Sequence, residues 1–319
     1  MTKAPTFLAV GGAHIDRRGQ ITGEHVPGAS NPGTMREEAG GGALNAAAAA
    51  RQMGARVLFL SARGGDAEGE AVARAIAGAG LEDISSTFLD RRTATYTAIL
   101  DRNGDVVTAL SDMAIYETAL PRLISRRATR DAMSEADAIL ADANMPADSI
   151  RRLMALAGGK PLFMIAVSPA KVSRLNGLFR GVHCLFMNRR EARALAGLDP
   201  GEDLAPAELL AQLSQSGLKN AVMTNGAGEV FLLDSGAISS LMPPQAQIIA
   251  DVTGAGDALA GVAAARMMHG GSFASSVKAG IAAAVTAVES RAAMASLRNN
   301  ARFLELERGL ESNKEHENA

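Results

Sequence analysis

Asp257 follows the run Thr253-Gly254-Ala255-Gly256 and opens an Ala-rich stretch, Ala258–Met268, whose apolar residues recur with helical spacing. Small residues at three successive positions let the backbone turn sharply. They bring N–H groups, unshielded by side chains, to the N-terminus of a helix, where the macrodipole favours negative charge. The amides of Gly254, Ala255, Gly256 and Asp257 therefore form a candidate anion cradle. A carboxylate next to such a cradle makes chemical sense if it faces a second reactant. The amides would neutralise charge on a transferring phosphoryl group while Asp257 accepts the proton of the attacking hydroxyl. The bland alternative is a helix cap, which explains most short Gly-Ala-Gly-Asp strings. Upstream, Ile248-Ile249-Ala250 reads as the end of a buried strand, which would make the whole stretch a strand-to-helix turn.

The elements that must position these residues read as an α/β alternation. Strands are expected at Thr6–Val10, Val57–Ser61, Ser85–Leu89, Ala138–Ala141, Leu162–Val167, Cys184–Met187, Ala221–Thr224, Val230–Leu233 and Ala237–Leu241. Helices are expected at Ala43–Met53, Asp66–Ala79, Ala147–Ala157, Ser272–Glu289 and Ala301–Leu310, with a short one from Asn188 to Ala196. Thr93–Leu100 and Val106–Leu110 alternate with polar residues around Asn103-Gly104 and predict a hairpin that interrupts this order. The segment 17–37 has no helical period and contains the turn Ser30-Asn31-Pro32-Gly33. Asp16 stands just beyond the first strand, where open α/β sheets place ligand-binding groups, although it could also cap a turn.

Composition narrows the class. A chain of 319 residues, 47% hydrophobic and 21% charged, can bury one large core. Its net charge of −2 offers no attraction for nucleic acid or membrane, and Arg126, Arg127 and Arg130 read as a solvated helix face. A single cysteine, Cys184, excludes a disulfide within the chain and suits a reducing cytoplasm. No run approaches the ~18 apolar residues of a membrane span. Ser168-Pro169-Ala170-Lys171 matches the Ser-x-x-Lys of penicillin-recognising enzymes, but the partner Lys-Thr-Gly is missing. No Gly-x-x-x-x-Gly-Lys-Ser/Thr loop occurs, and the histidines are too scattered for zinc. A dehydrogenase fingerprint fails because Leu259 stands where its third glycine belongs.

Asp251-Val252-Thr253-Gly254-Ala255-Gly256-Asp257, followed by Ala258, Leu259 and Gly261, resembles the C-terminal signature of the ribokinase-like (PfkB) sugar and nucleoside kinases. Gly41-Gly42-Ala43-Leu44-Asn45-Ala46, ending at Met53-Gly54, resembles their N-terminal signature, and Asn188-Arg189-Arg190-Glu191 a further motif of the family. The resemblance implies a three-layer α/β/α sandwich with a mostly parallel sheet, in a kinase domain over residues 1–310 ahead of a disordered tail, 311–319. A small β-sheet lid over about 17–38 and 91–113 would cover the substrate and pair two copies into a homodimer. It further implies ATP as phosphoryl donor and Mg2+ oriented through water by Asn188 and Glu191. Asp16, Gly41, Gly42 and Asn45 would hold the acceptor, and Thr224, Gly226, Gly228, Thr253, Gly254 and Gly256 would contact ATP. A monovalent cation such as K+ would lie near Asp251. A single indirect carboxylate suits Mg2+, which keeps several of its waters. A capping box of Asn188 and Glu191 is compatible with that role.

Within the family, Gly12-Ala13-His14-Ile15-Asp16, Ser30-Asn31-Pro32-Gly33, Ser111-Asp112-Met113 and Ala141-Asp142-Ala143-Asn144 look most like the pseudouridine kinases. His14 replaces an Asn usual there, and Ile165-Ala166-Val167-Ser168 lacks the usual Asp-Pro. A C-nucleoside base carries one more N–H donor than uridine, so the pocket would need an extra acceptor, for which Asn31, Asn144 and Asp112 are candidates, while His14 counts among the residues expected to contact the substrate. For Asn31, before Pro32, turn chemistry competes with that role.

Overall fold

Apolar runs too short for helices and without polar alternation build a sheet covered on both faces. The computed structural model describes residues 3–199, 202–292 and 294–312. In chain order, β1 (Thr6–Val10) ends at Gly11-Gly12 and is followed by β2 (His14–Ile21), β3 (Gly33–Gly40) and α1 (Gly42–Gln52). Then come β4 (Arg56–Leu60), β5 (Ala62–Gly64), α2 (Ala67–Gly78), β6 (Glu82–Asp83) and β7 (Ser86–Phe88). The hairpin β8 (Thr95–Leu100) and β9 (Val106–Asp112) leads into α3 (Ala114–Ile124) and α4 (Arg127–Glu135). The alternation resumes with β10 (Ala138–Asp142), α5 (Ala147–Ala157), β11 (Leu162–Ile165), a short α6 (Pro169–Val172), β12 (Cys184–Asn188) and α7 (Arg189–Leu195). After α8 (Pro206–Gln215), β13 (Asn220–Thr224), β14 (Val230–Asp234) and β15 (Ala237–Leu241) finish the sheet. Last come α9 (Ala255–Met268), α10 (Phe273–Val288) and α11 (Ala301–Ser312).

The main sheet runs β15-β14-β13-β12-β11-β10-β1-β4-β6 and is parallel except where β14 meets its two neighbours. Apolar side chains of α1, α2, α9, α10 and α11 cover one face, and those of α3, α4, α5, α7 and α8 the other. A three-layer sandwich results. The smaller sheet, β3-β2-β8-β9, grows out of the end of β1 and stands above the carboxyl ends of the main strands. β9 is exposed along its whole length. No helix among the described residues is long and apolar enough to cross a membrane. Cys184 is buried in β12, and burial pushes its thiol up from the ordinary value.

The Ala-rich helices follow from a packing requirement. A Cβ on Gly261 of α9 would lie 2.1 Å from the Ala46 carbonyl oxygen of α1, and one on Gly280 of α10 would lie 2.7 Å from that of Leu259. Only small residues permit such backbone contact, and Ala43–Ala50 and Ala258–Ala265 are buried throughout.

The structure corrects three expectations. Ile248–Ala250 is not a strand: Ile248 and Ile249 are 61% and 76% exposed, because β15 already closes the sheet edge and the amides of Ala250 and Asp251 turn to the Val288 carbonyl at the end of α10. A loop therefore leads into α9, which begins at Ala255 rather than Ala258. The expected strand 162–167 stops at Ile165, and Val167 takes a left-handed φ of 71°. Of the tail expected to be disordered, residues 311–312 end α11, and 313–319 lie outside the described residues. Arg127 and Arg130 lie on α4, in line with the helix face expected there, whereas helices α3 and α8 were not anticipated: α3 contains Pro121, which in a sequence reads as a break, and α8 begins with a proline at its first turn.

Two glycine substitutions should separate packing from backbone entropy. Gly261→Ala should destabilise the fold by about 2 kcal/mol or more, since a helix backbone cannot yield as a side chain would. Gly78→Ala, where a Cβ meets nothing within 4 Å, should be neutral or stabilising by about 0.5 kcal/mol. Urea denaturation midpoints of the two variants check the opposite signs.

Candidate active site

Five backbone elements bring their functional side chains to the carboxyl end of the sheet. β1 ends at Val10 and runs into Gly11-Gly12, β2 starts with His14 and Asp16, α1 starts at Gly42, β10 ends at Asp142, and α9 starts after Gly254. The Gly40-Gly41-Gly42 turn lies at their centre. A Cβ on Gly40 would sit 2.4 Å from an Asp16 oxygen, and one on Gly42 would sit 3.3 Å from Asp142 Oδ2 and 3.5 Å from Asp257 Oδ1. Gly41, at φ 122°, presses against the Gly12 carbonyl, which a Cβ would meet at 2.4 Å. Any side chain here would fill the space between three carboxylates.

Asp257 is held by Asn45, whose Nδ2 donates to Asp257 Oδ2 at 2.9 Å. Burial pushes the Asp257 carboxyl up, Asn45 pulls it down, and the charges of Asp142, Asp16 and Glu191 push it up again, to about 7. It keeps a partial opening to solvent, as a base that must meet a substrate requires. Beside it, Gly254 adopts a left-handed φ of 77° as the residue before the helix. Ala258 is the first amide to bond back, to the Gly254 carbonyl at 2.8 Å, so those of Ala255, Gly256 and Asp257 lie ahead of the ladder. A Cβ on Gly256 would meet nothing within 4 Å. The cradle is therefore open on its ligand side.

Asp142 was overlooked as a site residue, although the reasoning that selected Asp16, a carboxylate at the end of a strand, applies equally to it. It is fully buried. Its Oδ2 accepts from the amides of Gly12 at 3.0 Å and Ala43 at 2.9 Å and from Asn144 Nδ2 at 2.9 Å, and its Oδ1 from the Asn144 amide at 3.0 Å. Tyr116, also overlooked, is buried in α3 and bonds both the amide and the carbonyl of Ala13. It lies 6.5 Å, centroid to centroid, from His14.

The remaining candidates divide. His14 Nε2 lies 3.2 Å from Asp16 Oδ1, while its buried Nδ1 and the buried Oδ1 of Asn45 have no partner among the described residues. A polyol or nucleoside is the kind of ligand that satisfies such groups. Asn144 belongs to the Asp142 cluster. Asp112 is exposed at the end of β9, paired with Thr95, whose other neighbour is Ile15, so it shares the lid's inner end with Asp16. Asn31 is occupied by its own loop: its Oδ1 accepts from the Val26 amide and its Nδ2 donates to the Val26 and Ala29 carbonyls.

On the donor side, Asn188 and Glu191 form a capping box at the start of α7, with bonds of 2.7 and 3.0 Å. Glu191 is 5% exposed, and burial raises its carboxyl above the ordinary value. Thr224 ends β13, and the turn after it closes through Gly228 N to the Asn225 carbonyl, with Gly226 at φ 61° and open space beside it. Asp251 receives the Thr253 amide at 2.8 Å and the Arg18 guanidinium of β2, so its carboxylate is bound to the lid rather than left free for a cation. On the opposite side of β2, Arg17 reaches Glu68 of α2 at 2.6 Å and Glu37 of β3 at 2.9 Å. Among the described residues no cluster of three or more His, Cys, Asp or Glu could by itself hold a metal. That donor set fits an ion carried mainly by water and substrate phosphates.

A mostly parallel α/β sandwich with a small antiparallel sheet at the carboxyl ends of its strands, and an open anion cradle with a carboxylate beside it, suits phosphoryl transfer to a small molecule. The family described as pfkB family carbohydrate kinase matches residues 6–300, and the chain belongs to that family. It is 28% identical over 281 residues to the pseudouridine kinase of Escherichia coli K12, covering 87% of this chain and 88% of that protein. A solved carbohydrate kinase from Agrobacterium tumefaciens is 42% identical, with a TM-score of 0.81 over 96% of this chain and 97% of that one. The Arabidopsis thaliana ribokinase solved with ribose and ATP has the same fold, with a TM-score of 0.81 at 22% identity over 96% of this chain and 99% of that one.

The raised value of Asp257 has a consequence for stability. A group whose folded pKa lies above its unfolded one contributes stability that is lost as pH rises through the folded value. Replacement by Asn abolishes that loss. Asp257→Asn should therefore gain stability over the wild type progressively between the ordinary carboxylate range and about pH 7, and keep a constant advantage above it. Denaturant midpoints at pH 5 and pH 8 test this: an equal difference at both would contradict the assignment.

Proposed function

We propose that this protein transfers the γ-phosphoryl group of ATP to the 5′-hydroxyl of pseudouridine. The observation that carries the reaction is the Asn45–Asp257 pair facing the open cradle of α9. The acceptor hydroxyl would lie by Gly42 with its neighbours on Asp16 and Asn45. As its oxygen attacks the γ-phosphorus, its proton passes to Asp257, the bond to the β-phosphate oxygen breaks, and ADP leaves. The amides of Ala255, Gly256 and Asp257 stabilise the charge spread over the transferring oxygens. Thr224, Gly226, Gly228 and Thr253 would border ATP. Mg2+, held through water by Asn188, Glu191 and the phosphates, would supply further positive charge there. A monovalent-ion requirement centred on Asp251 has less support, because Arg18 already provides a cation to that carboxylate.

The acceptor is supported by the likeness to a pseudouridine kinase along most of the chain and by the four local strings named above. Of the candidate acceptors for the extra base N–H, Asn31 and Asn144 have their carbonyl oxygens engaged by Val26 and Lys171. Asp112 remains available, and His14 Nδ1, which has no partner among the described residues, adds a further acceptor. Another nucleoside or ribose is the second reading. The lid would also pair two copies, since Met35, Val106 and Leu110 expose 53%, 60% and 70% of their surface on it.

Three measurements test this. In a side-by-side coupled assay, pseudouridine should give a higher kcat/KM than uridine, ribose, adenosine or fructose 6-phosphate. Ribose or another nucleoside ahead of it would overturn the acceptor. Asp257→Asn should lower kcat by roughly 10²–10⁴-fold with nearly unchanged ATP affinity. Survival of activity within a few-fold would reduce Asp257 to a cap. Val106→Asp with Leu110→Lys should shift the mass by light scattering to a monomer and raise the acceptor KM together, because one sheet serves both roles.

A further inference from the structure

The run Ser168-Pro169-Ala170-Lys171 has no role as a penicillin-type motif, yet its lysine does not point to solvent. Lys171 Nζ donates to Asn144 Oδ1 at 2.5 Å, and Asn144 is 1% exposed. Asn144 Nδ2 donates in turn to Asp142 Oδ2, the same oxygen that receives the amides of Gly12 and Ala43. An ammonium, an amide, a carboxylate and the backbone of two catalytic elements thus form one continuous chain. Its direction is fixed chemically. Lysine can only donate and an ionised carboxylate can only accept, so the amide between them has one satisfied orientation out of two.

Two further observations place this chain among functional rather than incidental contacts. Val167, a β-branched residue, is held at φ 71° in the turn that leads into α6, the helix that carries Lys171. Side chains of that shape rarely adopt such a backbone, and it persists where the surroundings impose it, most often beside a site. Arg174, half a turn beyond α6, grips the same segment through the Ala143 and Asn144 carbonyls at 3.3 and 2.9 Å and pairs with Glu117 of α3 at 2.6 Å. Burial pulls the Lys171 amine below the ordinary lysine value, with Arg174 acting in the same sense, while Asp142 and Glu117 oppose it. A Cβ on Gly12 would meet Asn144 Nδ2 at 2.5 Å, so this amide forms the wall behind the turn that leads to His14 and Asp16.

We infer that Lys171 is a positioning residue for the acceptor side of the site, acting through Asn144 on Asp142 and through Asp142 on the Gly12 and Gly42-Ala43 backbone. It touches neither ATP nor the reacting atoms. The inference rests on the kinase reading of the site but not on the identity of the acceptor. Its loss should therefore be felt by the acceptor and not by the nucleotide.

The test is a double-mutant cycle of Lys171→Met and Asn144→Ala, run with whichever acceptor the wild type prefers. A wild type that prefers an acceptor other than pseudouridine overturns the earlier assignment and leaves this test intact. Lys171→Met should raise the acceptor KM by about tenfold with the ATP KM within about twofold, and Lys171→Arg should restore most of the loss. In the Asn144→Ala background, Lys171→Met should have no further effect, since the path is already cut. Multiplying effects in the double variant would show that Lys171 acts independently and would overturn the proposal. So would an acceptor KM unchanged within about twofold, or equal losses for both substrates accompanied by a lowered melting temperature.

Discussion

A carboxylate with no exposed surface must be solvated by the protein itself, and at Asp142 this demand organises the site. Burying an ion without compensation costs far more than any single contact returns, so its donors cannot be given up cheaply. Four hydrogen bonds provide that compensation, two of them from the backbone amides of Gly12, just beyond β1, and Ala43, in α1. The end of one strand and the start of one helix are thereby fixed relative to each other. Asn45 sits one turn into that helix and holds Asp257, so the position of the base is inherited from a charge with which it shares no hydrogen bond.

The same charge works on Asp257 at a distance. Burial comes first in raising its proton affinity, the hydrogen bond from Asn45 opposes it, and the charges of Asp142, Asp16 and Glu191 raise it further. The result is a carboxyl pushed up to about 7, which suits the base role proposed for it, in a site that would be more stable with fewer negative charges. Stability is given up here because like charges are gathered around Gly42, where the proposed transfer has the acceptor hydroxyl lose its proton.

Short-range signals made much of this legible before any coordinates. The glycines before α9, the Gly-Gly turn before α1 and the Asn-x-x-Glu box each act within one turn of backbone, and their types alone restrict the geometry. Asp16 could be selected from strand-end position. The parts that escaped depend on residues distant in sequence. Asp142 meets Gly12 across 130 residues, Asn45 meets Asp257 across 212, and Arg18 meets Asp251 across 233. Ile248 and Ile249 misled for a related reason: hydrophobicity records a preference for burial, but whether a sheet edge is free to receive a strand depends on what β15 has already occupied. Lys171 was set aside because a short motif was compared with the wrong chemistry, when the informative feature was a lysine following a turn that only tertiary contacts could hold.

The backbone contact between α1 and α9 acts as a ruler. Asn45 lies on one helix and Asp257 on the other, and Gly261 lets the two axes meet where a Cβ would overlap the Ala46 carbonyl. Elsewhere in a core, spacing is set by side chains, and successive substitutions can let two elements drift apart by fractions of an ångström. Here the spacing is set by main-chain atoms, which every sequence variant shares. The distance between Asp257 and the amide that orients it is thus insulated from mutational drift in the surrounding layer, so in the proposed transfer the small sheet and the acceptor side can diversify while the geometry at Asp257 stays calibrated.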